Sequence, residues 1–364
     1  MKKLVCFHLF NDYSGSPKVL RMVLGELAEK GVQIDLITSK GEGALSDLVE
    51  WRNVRISKYA YRFSDNPGVT MMRYLVVQLY TFGLALRYMF SKETVFYINT
   101  ILPVGAAFAG RLMRKRVVYH YHENAFVKGA FYKLLARAMQ VLASQIICVS
   151  EYQRSFLRRE DDVCVVPNAV PASFEARLCP NPQEAFERKR VLMLGSLKRY
   201  KGTLEFIELA RRMKDYSFEL VLNETADNIA AFWKENSIDR LANLTVYPRQ
   251  NDVVPFYNRA SVVLNLTDKN LAIETFGLTA LEAMSAGLPV IVPTVGGIAE
   301  MVVDGQNGYK IDVQELSKIE DCLRKILTDR LVYMRLSENA LTFSKRYDVG
   351  AMTERIISCI AAVG

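Results

Sequence analysis

The chain has 364 residues, 50% of them hydrophobic and 24% charged, a composition that excludes a largely disordered protein and suits two globular domains. Lys and Arg number 47 against 39 Asp and Glu, a formal net charge of +8, which raises nucleic acid, anionic membrane and phosphorylated ligands as partners without choosing among them. The excess lies in the first half: residues 1–180 carry 24 Lys and Arg against 15 Asp and Glu, whereas residues 181–364 carry 23 against 24.

In chain order, short apolar runs alternate with amphipathic stretches. The first half reads as a strand over 3–10, a helix over 17–30, a strand over 32–38, a long helix over 69–91, a strand over 95–98, a helix over 103–113, a strand over 116–120, a helix over 128–143 and a strand over 145–149. A stretch rich in proline and polar residues follows, from which a linker is expected over 171–188. The alternation then restarts, with strands over 190–194, 217–222, 244–247, 261–266 and 289–293. Helices are expected between them over 203–214, 225–236, 253–259 and 277–286. Such alternation implies crossover units and parallel sheets. The expected fold class is α/β: two Rossmann-like, doubly wound domains over 1–170 and 189–345 facing a central cleft, and a terminal helix over 346–364 packing back on the first domain.

The start, Met1 to Phe10, has the basic head and apolar run of a signal peptide. However, Asn11-Asp12-Tyr13 ends the run and no small-residue cleavage site follows, so a first strand is expected instead. The uncharged stretches over 74–86 and 94–110 are shorter than the roughly 18 residues a spanning helix needs, and no transmembrane helix is expected. The six cysteines (Cys6, Cys148, Cys164, Cys179, Cys322, Cys359) show no metal-binding spacing. They are expected to be reduced, mostly buried packing residues of a cytoplasmic protein. Three histidines in the whole chain also argue against a zinc site.

The most informative run is Glu274-Thr275-Phe276-Gly277-Leu278-Thr279-Ala280-Leu281-Glu282, continuing to Ala286-Gly287-Leu288-Pro289-Val290. It reads as loop, helix, glycine stop and strand. The amides of Phe276 to Leu278 are left free by the helix start and carry its positive dipole end, which makes an anion site. A diphosphate there would have one carboxylate near each end, and carboxylates accept paired hydrogen bonds from sugar diols. Taken singly, either glutamate is an ordinary solvated helix charge; only the joint pattern carries the reading.

This Glu-x7-Glu motif resembles the signature of retaining, family 4 glycosyltransferases with the GT-B fold. The similarity continues through Thr294-Val295-Gly296-Gly297, Asp304-Gly305-Gln306-Asn307-Gly308 and Leu194-Gly195-Ser196-Leu197-Lys198-Arg199-Tyr200-Lys201-Gly202. Looser echoes occur in the first half at Tyr13-Ser14-Gly15-Ser16-Pro17 and Val165-Val166-Pro167-Asn168. The resemblance implies that Glu274 contacts donor-sugar hydroxyls and Glu282 the ribose. It implies that Thr275, Phe276, Gly277 and Leu278 offer backbone donors to the diphosphate, which Lys201 neutralises. Gly15 and Ser16 would approach the phosphates from the first domain, Arg249 would sit near the base, and His122 would face the reacting sugar. His120 and His122 also fit one inward and one outward residue at a strand end, and His8 reads as a packed core residue.

Three departures stand out. Ser196 occupies a position where the family usually has Arg, a charge that Lys198 or Arg199 is expected to replace. The approach from Thr267 to Glu274 is longer than usual, and Ala169 stands where glycine usually follows the asparagine. The resemblance further implies transfer on one face of the donor without a metal or other cofactor, the nucleotide-sugar being a substrate; no Asp-x-Asp motif is present.

Residues 68–92 combine Met71, Met72, Leu75, Tyr80 and Phe90 with Arg73, Arg87 and Lys92, and a second basic cluster is Arg111, Arg114, Lys115 and Arg116. Two readings stand side by side: a basic amphipathic surface on anionic membrane, peripheral on its inner face, and a core helix with basic ends. Nucleic acid is not expected as a partner, because no recognised module or sustained basic stripe occurs. The expected function is hexosyl transfer from a UDP- or GDP-sugar to a lipid-linked or oligosaccharide acceptor in cell-surface polysaccharide biosynthesis. The alternatives are a nucleotide-sugar epimerase on the same fold and a catalytically weak nucleotide-sugar-binding protein.

Overall fold

Strands β4 (Thr94–Asn99) and β5 (Arg116–Tyr121) are apolar on both faces, as strands in the middle of a covered parallel sheet must be. They belong to a computed structural model that describes residues 3–361 and divides into two units, 1–168 with 349–364, and 169–348. Met1, Lys2 and residues 362–364, at the ends of the expected first strand's basic head and of the terminal helix, lie outside the described residues.

The first unit contains β1 (Lys3–Phe7), α1 (Gly15–Glu29), β2 (Gln33–Ser39), β3 (Val54–Tyr59), α2 (Pro67–Leu86), β4, α3 (Val104–Leu112), β5, α4 (Ala130–Leu142), β6 (Gln145–Cys148), α5 (Glu151–Arg154) and β7 (Val163–Val165). Its seven strands are parallel, in the order β3-β2-β1-β4-β5-β6-β7. Helix α1 buries Val19, Leu20, Val23, Leu24 and Leu27, spaced three and four apart on one face. The strand order reverses between β1 and β4, the place where doubly wound sheets open a crevice beyond their carboxyl ends.

The second unit contains α6 (Ala172–Glu175), α7 (Pro182–Arg188), β8 (Arg190–Gly195), α8 (Thr203–Arg212), β9 (Ser217–Leu222), α9 (Ala226–Glu235), β10 (Leu244–Tyr247), α10 (Val254–Arg259), β11 (Val262–Leu264), α11 (Leu278–Ser285), β12 (Val290–Val292), α12 (Gly297–Glu300), β13 (Gly308–Lys310), α13 (Leu316–Thr328) and α14 (Arg330–Ser344). Its six parallel strands run β10-β9-β8-β11-β12-β13, with the reversal between β8 and β11. Helix α15 (Val349–Ala361) then returns to the first unit. There Arg116 Nη2 donates to the Cys359 carbonyl (2.9 Å) and Arg355 Nη2 to the Val165 carbonyl (3.0 Å).

The structure corrects two expectations. Residues 171–188 are no free linker: they fold as α6 and α7 on the second unit. Phe174 packs edge-on to Tyr257, Phe186 packs on Tyr333, and Cys179 N donates to Asn258 Oδ1 at 2.9 Å. Apolar side chains among the prolines made this possible. Cys164 on β7 and Cys359 on α15 lie side by side, because α15 docks beside β7 across 195 residues of sequence. Finally, α2 runs 20 residues and is long and apolar enough to cross a membrane by length and composition, since the helix continues through Arg73. One side of it, with Tyr74, Val77, Thr81 and Ala85, is buried within the first unit.

Candidate active site

In the second unit, polar residues gather beyond the carboxyl ends of β8 and β11. Glycines shape the approach. Gly202 has φ +73, and a side chain there would collide with the Leu266 carbonyl, so the turn holding Lys201 lies directly against the chain leaving β11. Lys201 Nζ reaches Glu274 Oε1, which also accepts from Thr267 Oγ1 at 2.9 Å. Burial opposes ionisation of Glu274, but the Lys201 charge and hydrogen bonds from Lys201, Thr267 and Asn265 hold its carboxyl below the ordinary value. Burial likewise opposes the Lys201 charge, and Glu274 more than offsets it, raising the ammonium pKa. The pair is therefore charged at neutral pH.

Helix α11 begins three residues after Glu274's neighbour Thr275. Its first backbone bond is that of Ala280 N to Gly277 O (3.0 Å), so the amides of Phe276, Gly277 and Leu278 precede the intrahelical ladder. The Glu274 main chain is gripped from the other side: Gly297 N donates to its carbonyl (2.9 Å), and a side chain on Gly296 (φ +111) would strike that same oxygen. Two turns along, Glu282 Oε2 accepts from the Tyr257 hydroxyl at 2.6 Å. The loop between Thr267 and Glu274 is anchored rather than loose. Lys269 Nζ pairs with Asp312, whose carboxylate also accepts from Thr294 N (3.0 Å), and Gln314 Nε2 donates to Asp268 Oδ1 (2.6 Å).

In the first unit, the corresponding crevice collects all three histidines. Asn99, at the end of β4, is fully buried: its amide donates to His8 Nδ1 (3.1 Å), and its Oδ1 lies 3.0 Å from His122 Nε2. It also reaches the Ser16 carbonyl at the start of α1 (3.4 Å). The His120 and His122 rings lie 4.1 Å apart, and His120 Nδ1 meets the Tyr97 hydroxyl at 2.6 Å. Burial pushes His8 down to about 4 and His120 down to about 3; burial, then the neighbouring His120 and His8, pushes His122 well below the ordinary value. The cluster is neutral. Glu123, raised by burial, accepts from Ile101 N (3.2 Å).

Comparison with known proteins agrees with this architecture. The family model for Glycosyltransferase Family 4 matches residues 13–174, and that for Glycosyl transferases group 1 matches residues 180–343. The chain belongs to the GT-B glycosyltransferases. Among characterised relatives, the capsular polysaccharide biosynthesis glycosyltransferase CapM of Staphylococcus aureus is 22% identical over 93% of this chain and 92% of its own. A D-inositol 3-phosphate glycosyltransferase of Corynebacterium aurimucosum is 25% identical over 46% of this chain; the match spans 42% of that relative, less than half its length. The crystal structure of Anabaena HepE in complex with UDP and glucose superposes with a TM-score of 0.80 at 18% identity, covering 100% of both chains.

In this glycosyltransferase, Lys201 stands beside Glu274, the segment Thr275 to Leu278 follows directly, and Glu282 lies on α11. Ser196 lies at the end of β8, where its carbonyl accepts from Thr203 Oγ1 (3.0 Å). Arg199 is exposed and pairs with Glu205 at 2.6 Å. Arg249 is exposed beyond β10 and donates to Asn223 Oδ1 at 2.7 Å. Gly15 and Ser16 open α1, Ser16 within reach of Asn99. Sequence reasoning missed Asn99, Asn265, Thr267, Tyr257 and Asp312. Asn99 carried a signal, being a polar residue at the end of an apolar strand run; the other four depend on tertiary approach.

Proposed function

We propose that this glycosyltransferase moves a hexose from a UDP- or GDP-sugar to a lipid-linked or oligosaccharide acceptor in cell-surface polysaccharide biosynthesis, with retention at the anomeric carbon and no metal. The observation that carries the reading is the charged Lys201–Glu274 pair beside the open start of α11. As the glycosidic bond breaks, the diphosphate leaving group gains negative charge. A fixed ammonium and free helix-start amides stabilise that charge where it develops. The ionised Glu274 accepts from sugar hydroxyls, and Glu282, positioned by Tyr257, accepts from the ribose diol. The leaving phosphate oxygen takes the acceptor's proton on the face the nucleotide departs from. Neutral His122 is assigned to sugar binding.

The relatives support the donor and pathway assignments: one is named for capsular polysaccharide biosynthesis, and the HepE structure holds UDP and glucose. A peripheral position on the membrane is supported by the outer side of α2, where Met72, Leu75, Val76 and Leu79 are exposed beside Arg73. The test is incubation with UDP-, GDP- and ADP-sugars plus extracted membrane lipids, following nucleoside diphosphate release and lipid glycosylation. Acceptor-dependent release that vanishes in Glu274→Ala supports the reading. Isomerised donor without transfer, or binding without turnover on any acceptor, overturns it.

A further inference from the structure

At the opposite end of the first unit's sheet from the histidines, the carboxyl end of α3 and the amino ends of β5 and β6 surround an open depression of about 620 Å³, lined by Arg111, Arg114, Lys115, Arg116 and Ser144. Arg116 opens β5 and His122 follows its last residue, so the depression stands roughly 20 Å of strand away from the histidine cluster. No acidic side chain among the described residues lines it. Among the described residues, none of the four cations pairs with a carboxylate. A single cation satisfies the negative end of a helix dipole; four around one cavity repel each other without a counter-charge.

The remaining donors point the same way. Arg116 Nε is buried and has no hydrogen-bond partner among the described residues, although Nη2 of the same guanidinium holds Cys359 O. Ser144 Oγ accepts from Val117 N at 3.2 Å, which leaves its own O–H to donate. Arg114 adopts φ +54, the left-handed conformation after a helix end that favours glycine.

We propose that this basic depression is a second anion site, distinct from the donor site, that binds a phosphate-bearing group. The chemistry is that of a phosphate held by guanidinium forks and a hydroxyl. A membrane lipid headgroup and a soluble polyphosphate both present it. The inference does not rest on the donor reading above.

The test uses the full chain and a double variant, Arg111→Ala with Arg114→Gly; glycine suits the positive φ at 114 and removes the charge without backbone strain. One arm titrates inorganic pyrophosphate calorimetrically at low ionic strength. The other measures sedimentation with phosphatidylcholine vesicles with and without phosphatidylglycerol. Removing two charges is expected to weaken binding about thirtyfold, while nucleotide-sugar turnover on a soluble acceptor stays unchanged. Pyrophosphate binding lost in the variant supports the site with a soluble ligand. Phosphatidylglycerol-dependent sedimentation lost in the variant, and not competed by pyrophosphate, supports it with a lipid ligand. Equal behaviour of variant and wild type in both arms overturns it. Absent turnover in the wild type with binding intact would sink the donor reading and leave this one standing.

Discussion

Lys201 and Glu274 stand 73 positions apart in the chain, yet the ammonium of one donates to Oε1 of the other. Removing either leaves the other charge half-buried and alone, at a cost of about 1–3 kcal/mol, less than for a fully buried pair because both keep some solvent. Glu274→Gln and Lys201→Met should each lower turnover about 100-fold or more, and the double variant should lose much less than the product of the two. Additive losses in initial-rate measurements would show that the two do not act as a unit.

The same pair sets a pH dependence. Glu274 has a depressed folded pKa, so its stabilisation is present above the unfolded carboxyl value and is lost as pH falls through the lower folded one. Lys201 has a raised folded pKa, so its contribution is present below the unfolded ammonium value and is lost as pH rises through the higher folded one. Thermal melts across pH should therefore show a plateau at neutral pH whose acid shoulder flattens in Lys201→Met. An unchanged acid shoulder would separate the stability of Glu274 from Lys201.

Gly296 and Gly305 both have positive φ, at +111 and +70, but only Gly296 faces an obstacle, the Glu274 carbonyl; Gly305 has nothing within 4 Å. Alanine at 305 should cost about 1 kcal/mol of backbone strain and leave turnover intact. Alanine at 296 adds a collision that displaces Glu274, so activity should fall well beyond the loss of stability. Comparison of kcat with melting temperature for the two variants checks this; proportional losses in both would deny Gly296 a positioning role.

The elements legible in the sequence were those whose pattern is set by local burial. The strand expected over 217–222 is β9 itself, and that over 244–247 is β10. Strand β3 escaped notice because Arg55, Ser57 and Lys58 interrupt its apolar positions at the sheet edge, and β7 because three residues carry no periodicity. The Glu274 motif was legible because backbone chemistry at a helix start depends on local order. Asn265, Thr267 and Tyr257 were not, because each acquires its role only when β11 and α10 are brought beside Glu274 or Glu282.

Asn99 joins His8 to His122, and the whole complement of histidine in the chain lies in that one cluster. Burial keeps the three neutral, so no imidazole resonance should titrate between about pH 5 and 8, the range in which an exposed histidine changes charge. Unfolding lets each return to 6.5, and the unfolded chain then binds more protons. Stability from this cluster should therefore fall as pH drops from 6.5 toward the His8 value of about 4. Asn99→Ala leaves His8 Nδ1 and His122 Nε2 without this partner, costing about 1–3 kcal/mol, and should lower the melting temperature and let the histidines titrate closer to 6.5. Thermal melts and NMR titrations of wild type and variant read the two effects, and a histidine titrating near 6.5 in the wild type would contradict the buried assignment.

Ser196 sits at the end of β8, with its main chain tied to Thr203, where the resembling family usually carries Arg. Arg199, one of the two cations expected to replace it, is exposed and pairs with Glu205 on α8. In the proposed reading the donor phosphates meet Lys201 and the α11 amides, with Lys198 and Arg199 as the remaining nearby cations, so a cation restored at 196 should strengthen donor binding. One charge-assisted hydrogen bond contributes about 1.5–3 kcal/mol, so Ser196→Arg should lower the donor KM about tenfold or more while the melting temperature hardly moves. Initial rates at varied donor concentration measure this directly. An unchanged KM would mean that the helix start and Lys201 already saturate the diphosphate, and that Ser196 reflects a site needing one cation fewer.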